Sequence, residues 1–218
     1  MAMDSQFARP RRSRGIALIA AISLSGLASV GLTAASASVT TAAFPCTTRQ
    51  ESTPFAKWND AHSYFLMPNG GFEAGATSWA LSGGAAVVSG NESSFANRAG
   101  DSHSLNIPMG ARATSQTICV GRAETSFRLF VKSPNVTTAK LHVEVDVQDP
   151  QTGRVVQTGF NVNASALGSG WSPTIRMNTP NPGNAGTGTQ NLTLVFSATG
   201  SPGTWSIDDV FVDPFRLR

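Results

Sequence analysis

The chain has few of the groups that usually announce chemistry. Its 218 residues include two cysteines, one tyrosine and three histidines. Two isolated cysteines with no histidine pair nearby lack the spacing of a zinc site. A serine hydrolase needs its nucleophile set against a histidine, yet no G-x-S-x-G elbow occurs. Asp101, Ser102 and His103 lie side by side in "GDSHS", but neighbours along a strand point to opposite faces and form no relay. The stretch reads as a turn entering a strand. Metalloprotease, P-loop and dinucleotide motifs are absent. Glu144 and Asp146 share a strand face, as wet-face charges routinely do, and do not oppose each other across a cleft as a glycosidase requires. These absences point away from an enzyme.

Long apolar runs are also scarce. The one present, Gly15 to Leu32, follows Arg9, Arg11, Arg12 and Arg14 and precedes Ala35-Ser36-Ala37. A basic stretch, an apolar stretch and a small-residue cleavage site describe a secretory signal peptide over residues 1–37, cut near Ala37 or Ala43. The alternative is a membrane anchor, since the run approaches the roughly 18 residues that can span a bilayer. No second run could span a membrane. Residues 1–37 hold four of the sixteen Lys+Arg and one of the thirteen Asp+Glu, so the rest keeps twelve of each. The alkaline balance therefore belongs to the leader and is no nucleic-acid footprint. The expected location is extracellular.

About 180 residues remain, enough for one domain with a substantial core. In an oxidising compartment an even cysteine count suggests one disulfide, Cys46–Cys119, with two buried free thiols as the alternative. Residues 38–67 read as an irregular arm broken by Pro45 and Pro54. Phe44, Phe55, Trp58, Tyr64 and Phe65 make the arm aromatic enough to pack on the domain at 68–218.

No segment after the leader has a convincing helical period. Strand patterns recur instead between Gly, Pro, Ser and Asn clusters. In "KLHVEVDVQ", Leu141, Val143, Val145 and Val147 alternate with His142, Glu144, Asp146 and Gln148, a half-buried strand. "SFRLFVK" alternates apart from Phe130, "NLTLVFSA" puts Leu192, Leu194 and Phe196 on one side, and "TWSIDDVFV" puts Trp205, Ile207 and Phe211 together. Weaker strands are read at 79–81, 85–89, 104–107, 113–120, 155–161 and 174–177. Gln148 to Arg154 is a hairpin connection, and Asn178 to Gln190 a long polar loop. The fold class is an all-β antiparallel sandwich. Phe72, Trp79, Leu129, Val143, Val145, Leu194, Phe196, Ile207 and Phe211 are expected between its sheets.

In "PNGGFEAGATSW", Pro68 to Trp79, the Asn69-Gly70-Gly71 step reads as a tight turn that needs positive φ, which glycine adopts freely. With "WSIDDVFV" near the other end, this stretch resembles the first and last strands of galactose-binding-like jelly rolls, in particular xylan- and glucan-binding carbohydrate-binding modules. The resemblance covers roughly Pro68 to Asp213. The arm is similar to that of a group of small secreted actinobacterial proteins. The resemblance implies a jelly roll with a structural Ca²⁺ between first and last strands. Glu73 and Asp208 would be its side-chain ligands, with a carbonyl near Gly71, and Asp209 would substitute if a bulge shifts the strand. It also implies a secreted, non-catalytic module for carbohydrate or cell-surface glycan. The alternative is an interaction domain that binds protein or cell wall without a sugar pocket. Trp58, Tyr64, Phe95 and Trp171 are the rings that could stack on a sugar, each with packing as its alternative role.

Overall fold

The computed structural model describes Cys46, residues 49–121, Glu124, residues 126–180 and residues 188–213. The expected leader at 1–37, with both cleavage positions, lies outside the described residues. No described helix is long and apolar enough to cross a membrane.

Fourteen strands and two single 3-10 turns make up the described chain. The strands are β1 (Glu51–Ser52), β2 (Tyr64–Leu66), β3 (Trp79–Ser82), β4 (Ala86–Ser89), β5 (His103–Pro108), β6 (Arg112–Ser115) and β7 (Ile118–Gly121). There follow β8 (Ser126–Lys132), β9 (Lys140–Gln148), β10 (Val155–Asn163), β11 (Trp171–Pro173), β12 (Met177–Asn178), β13 (Thr189–Thr199) and β14 (Thr204–Asp213). All ladders between them are antiparallel, in two sheets. One sheet runs β10-β9-β13-β6-β3, with β7 also on β13. In the other, β14 pairs β5, β8 and β2; β4 extends β5, β1 extends β2, and β11 and β12 flank β8. The all-β antiparallel sandwich is therefore what the chain forms.

The alternating strands do what their period dictates. Val143, Val145 and Val147 of β9 stand in register with Phe196, Leu194 and Leu192 of β13, all buried in the main core. On the other face Glu144, His142 and Asp146 pair outward; Arg112 meets Glu144 at 3.1 Å and Gln157 meets Asp146 at 2.8 Å. Phe72, Trp79, Leu129 and Ile207 join the same core, and the Phe72 and Trp79 ring centroids lie 5.2 Å apart.

Several expectations need correction. The 113–120 stretch is two strands, because the chain turns aside at Gln116, whose amide donates to the Ser78 carbonyl at 2.6 Å. Residues 174–176 form no strand; the edge pairings on β8 come from β11 and β12 on either side. The Asn178 to Gln190 loop is bounded by β12 and β13, with residues 181–187 outside the description. The arm is only partly irregular, since β2 pairs with Phe211 and Val212 of β14 and β1 pairs with β2.

Phe211 is buried, but not between the sheets. A bulge between Asp208 and Phe211, with Asp209 at φ 49°, shifts β14 by one residue. Val210 and Val212 enter the main core instead, and Phe211 joins Phe55, Tyr64 and Phe130 in a second buried cluster. This explains Phe130, the residue that broke the β8 alternation. Both faces of β8 are covered, the outer one by the arm. Phe55 stacks on Phe130 at 5.4 Å and meets Phe211 edge-on at 5.7 Å.

The arm is also tied covalently. Cys46 and Cys119 form a disulfide with Cα atoms 5.0 Å apart, closing 73 residues. Arg49 adds an ion pair to Glu124 at 2.7 Å, a bond to the Cys119 carbonyl and a cation–π contact to Phe65 at 3.9 Å. Loop-closure entropy puts the stabilisation from such a link at roughly 4 kcal/mol. Replacing both cysteines by serine should lower the urea midpoint and steepen the slope, because the unlinked unfolded chain is less compact. Two alkylatable thiols in the unreduced protein would refute the link.

Candidate functional site

The opening loop is built differently from a glycine turn. Positive φ falls on Asn69 and Phe72, and Gly70 and Gly71 do not need it. Their glycines serve close approach instead. A Cβ at Gly70 would lie 2.8 Å from the Val210 carbonyl oxygen, and one at Gly71 would lie 2.9 Å from Asp209 Oδ1. The Gly70 carbonyl accepts from Val210 N–H, and Met67 N–H donates to the Val210 carbonyl, which seats this loop against the β14 bulge. Asn69 braces it: its amide donates to the Gly75 and Thr77 carbonyls at 2.8 Å each, and its Oδ1 accepts from Ala74 N–H.

The bulge brings Asp208 and Asp209 to the site as fully buried residues, with Glu92 and Asp101 beside them. Asp208 is used up by backbone: Oδ2 accepts from Glu92 N–H and Oδ1 from Asp209 N–H, both at 2.9 Å. Asp209 Oδ2 accepts from Asn97 N–H at 3.1 Å, whereas Asp209 Oδ1 has no hydrogen-bond partner. That free oxygen rims the space a side chain at position 71 would fill, together with Asn97 Nδ2 and Asp101 Oδ2, respectively 3.4 and 3.8 Å from such a Cβ. Burial, then the charge of Asp209, pushes the Asp208 carboxyl up to about 9. Burial, then Glu92 and Asp101, pushes Asp209 up to about 7.

Glu73 points elsewhere. Its carboxylate accepts from the Ser102 and His103 amides at 2.7 Å each and pairs with His103 Nδ1 at 3.1 Å. Burial works against its charge, but the His103 and Ser102 bonds outweigh that and hold the carboxyl below its ordinary value. The open acceptor is therefore on Asp209, the residue that follows from the bulge, with Asp101 in the neighbourhood assigned to Glu73. Among the described residues no three acidic, histidine or cysteine side chains converge to hold a metal unaided. Calcium takes six to eight hard oxygens, so carbonyls and water would complete a shell here. The donor chemistry fits such an ion in two respects: an orphaned buried carboxylate oxygen on Asp209 and a second carboxylate, Asp101, on the same side of Gly71.

One loop joins this acidic cradle to the aromatic candidates. Glu92 folds the loop over itself, accepting from Ser94 N–H at 2.6 Å and from Ala96 N–H. Phe95, at φ 50° and 49% exposed, projects from its tip. Phe95 and Trp58 line one groove of about 280 Å³ with Thr53, Lys57 and Ser94. Trp58 is half-buried and backed edge-on by Phe130 at 5.3 Å. The other two rings are not part of it. Trp171 lies on β11 against the second cluster. Tyr64 is fully buried and offers no stacking face. Its hydroxyl donates to Asp60 Oδ2 at 2.7 Å, the same oxygen that Arg128 reaches at 2.6 Å. These bonds and one from His62 overcome burial and hold the Asp60 carboxyl far below its ordinary value.

The sequence pattern gives no signal for Glu92, a lone acid among polar loop residues, and shows Asp101 only as part of the "GDSHS" turn; the fold alone sets them beside the Asp-Asp pair.

No known family profile matches the chain, and no curated protein matches it. Solved structures similar to it include carbohydrate-binding modules. One is TmCBM61 in complex with β-1,4-galactotriose, at 17% identity over 67% of this chain and 96% of that one, TM-score 0.43. Another is the non-crystalline cellulose specific module CBM28, at 16% identity over 68% and 94%, TM-score 0.44. A third is the C-terminal family 22 carbohydrate-binding module of Clostridium thermocellum Xyn10B, at 11% identity over 70% and 96%, TM-score 0.41.

Proposed function

We propose that the chain is a secreted, non-catalytic module that binds carbohydrate in the groove between Trp58 and Phe95, with a structural Ca²⁺ at the Asp209 cradle. The observation that carries this reading is that two of the four candidate rings line a single groove. An aromatic face offers the apolar side of a sugar ring a flat partner, and a few polar groups then fix its orientation. Lys57, Ser94 and Thr53 supply an ammonium and two hydroxyls. That set suits holding a sugar; cleaving one needs paired carboxylates. At the cradle, Asp209 and Asp101 would provide side-chain oxygens and the Gly71 region a carbonyl. The ion would supply positive charge to a cluster of buried acids.

Affinity electrophoresis in gels containing soluble xylan, mixed-linkage glucan or galactan tests the groove. At least one polysaccharide should retard the protein. Trp58→Ala should weaken that binding about 30-fold, the scale for truncating a central aromatic anchor. Phe95→Ala, at an exposed site, should weaken it while leaving the melt unchanged. Retardation by none of the three, or equal retardation of wild type and both variants, would sink the reading.

A further inference from the structure

We infer that a cation bound at the Asp209 cradle fixes the Phe95 wall of the groove, so that the cation and groove sites are thermodynamically linked. The inference rests on the cation and groove readings above and adds the connection between them.

The connection is the loop from Glu92 to Asn97. It enters on Asp208, through Glu92 N–H to Oδ2 at 2.9 Å. It leaves on Asp209, through Asn97 N–H to Oδ2 at 3.1 Å. The Asn97 side chain also donates to Asp101 Oδ2 at 2.7 Å. Between these anchors the loop has few other holds. The Glu92 carboxylate gathers Ser94 and Ala96, and Lys57 Nζ makes a long contact to the Ser94 carbonyl at 3.5 Å. Phe95 thus stands in a left-handed conformation on a loop whose two ends hang from neighbouring carboxylates.

Among the described residues no ion pair ties those carboxylates to a cationic side chain. The ion pairs among the described residues join Arg49 to Glu124, Arg112 to Glu144, Arg128 to Asp60 and Arg176 to Asp213, and His62 and His103 to Asp60 and Glu73. None reaches Glu92, Asp101, Asp208 or Asp209. Buried like charges repel strongly where water is excluded. An ion at Asp209 Oδ1 would offset that repulsion, leaving Oδ2 free to hold Asn97. Without it the crowded carboxylates push the two anchors apart, and the loop is freer to open. A loop that must order on ligand binding costs affinity, and a cation that orders it beforehand removes that cost. By reciprocity, a ligand in the groove tightens cation binding by the same factor.

The test uses the purified protein, stripped with EDTA, and calcium chloride alone as the probe. Calorimetry reads ion binding, and amide hydrogen exchange reads the loop. Calcium should give a binding isotherm and slow exchange at Ser94 to Asn97 by about tenfold relative to the central amides of β13, within the usual range for coupled sites. An isotherm with no change at Ser94 to Asn97 overturns the inference. So does slowing that is uniform across loop and β13, which would mean global stabilisation only. Absence of any isotherm overturns the cation reading and this inference with it. Slowing confined to the loop, together with no retardation by any polysaccharide, upholds the cation's hold on the Phe95 wall and rejects the glycan reading alone.

Discussion

Stripped of metal, the protein should lose stability steadily as the pH rises from about 4 towards 9. Asp208 and Asp209 set this slope. Their carboxyls are raised in the folded chain to about 9 and about 7, first by burial and then by neighbouring acids. An unfolded aspartate titrates near 3.9, so between that value and the folded ones the native state holds protons the unfolded state has released. The stabilisation is complete below the unfolded value and is lost as pH climbs through the folded values. Each unit removes about 1.4 kcal/mol per group. For Asp209 taken alone that is on the order of 4 kcal/mol by pH 7, and the neighbouring pair cannot simply be added. Calcium bound as proposed should flatten the curve, because an ion that takes only the ionised, folded form favours it by mass action. At the acid end the sign reverses. Asp60, depressed by its bonds to Tyr64, His62 and Arg128, contributes stability above the unfolded value and loses it as the pH drops below that value. The metal-free protein should therefore be most stable a little above pH 4. Thermal melts in EDTA and in millimolar calcium at several pH values decide the matter. Coincident melts that stay level from pH 4 to 9, with no calcium by elemental analysis, would reduce the cradle to ordinary buried acids.

Val145→Asp should abolish folding. Val145 is fully buried, opposite Leu194 on one neighbour strand and Thr158 on the other. A carboxylate there faces the core with no partner, at a cost of several kcal/mol. The cavity and overpacking changes around it add to that, against a total stability of about 5–15 kcal/mol for a domain. Glu144→Ala, one residue away on the wet face, removes only a partly exposed pair to Arg112 and should change stability by less than about 1 kcal/mol. The contrast measures the strand register. A soluble Val145→Asp protein with a cooperative melt would show that β9 presents its other face to the core.

How far the sequence could be read depended on whether a residue's surroundings were local. β9 and β13 alternate cleanly because each has one dry and one wet face, and period two needs no other information. β8 looked imperfect at Phe130 because the arm dries its second face, and that cover comes from far along the chain. The β14 bulge was legible only as an option for Asp209. Its consequence, Phe211 on the outer face and Val210 in the core, depends on Gly70 pairing with Val210 across the fold. The glycines at 70 and 71 looked like turn formers; only the assembled structure shows that β14 leaves no room for a Cβ there. Tyr64 looked available as the one tyrosine, but it is fully buried and its hydroxyl donates to Asp60, the carboxylate that Arg128 also holds.

The cysteine link also fixes how the chain carries mechanical load. Tension entering ahead of Cys46 passes through the sulfur bridge to Cys119 on β7 and then along the backbone towards β14. Residues 47–118 form a covalent side loop outside that route. They include Trp58, Phe95, Glu92 and Asp101, so both the groove and half of the acidic cradle lie off the covalent line of load and meet it only through hydrogen bonds to β14. With the bridge reduced, the same tension would run through η1 (Ala56–Trp58) and the Glu92 to Asn97 loop first. Oxidation state thus decides whether a protein tethered at its front end keeps that region slack under shear.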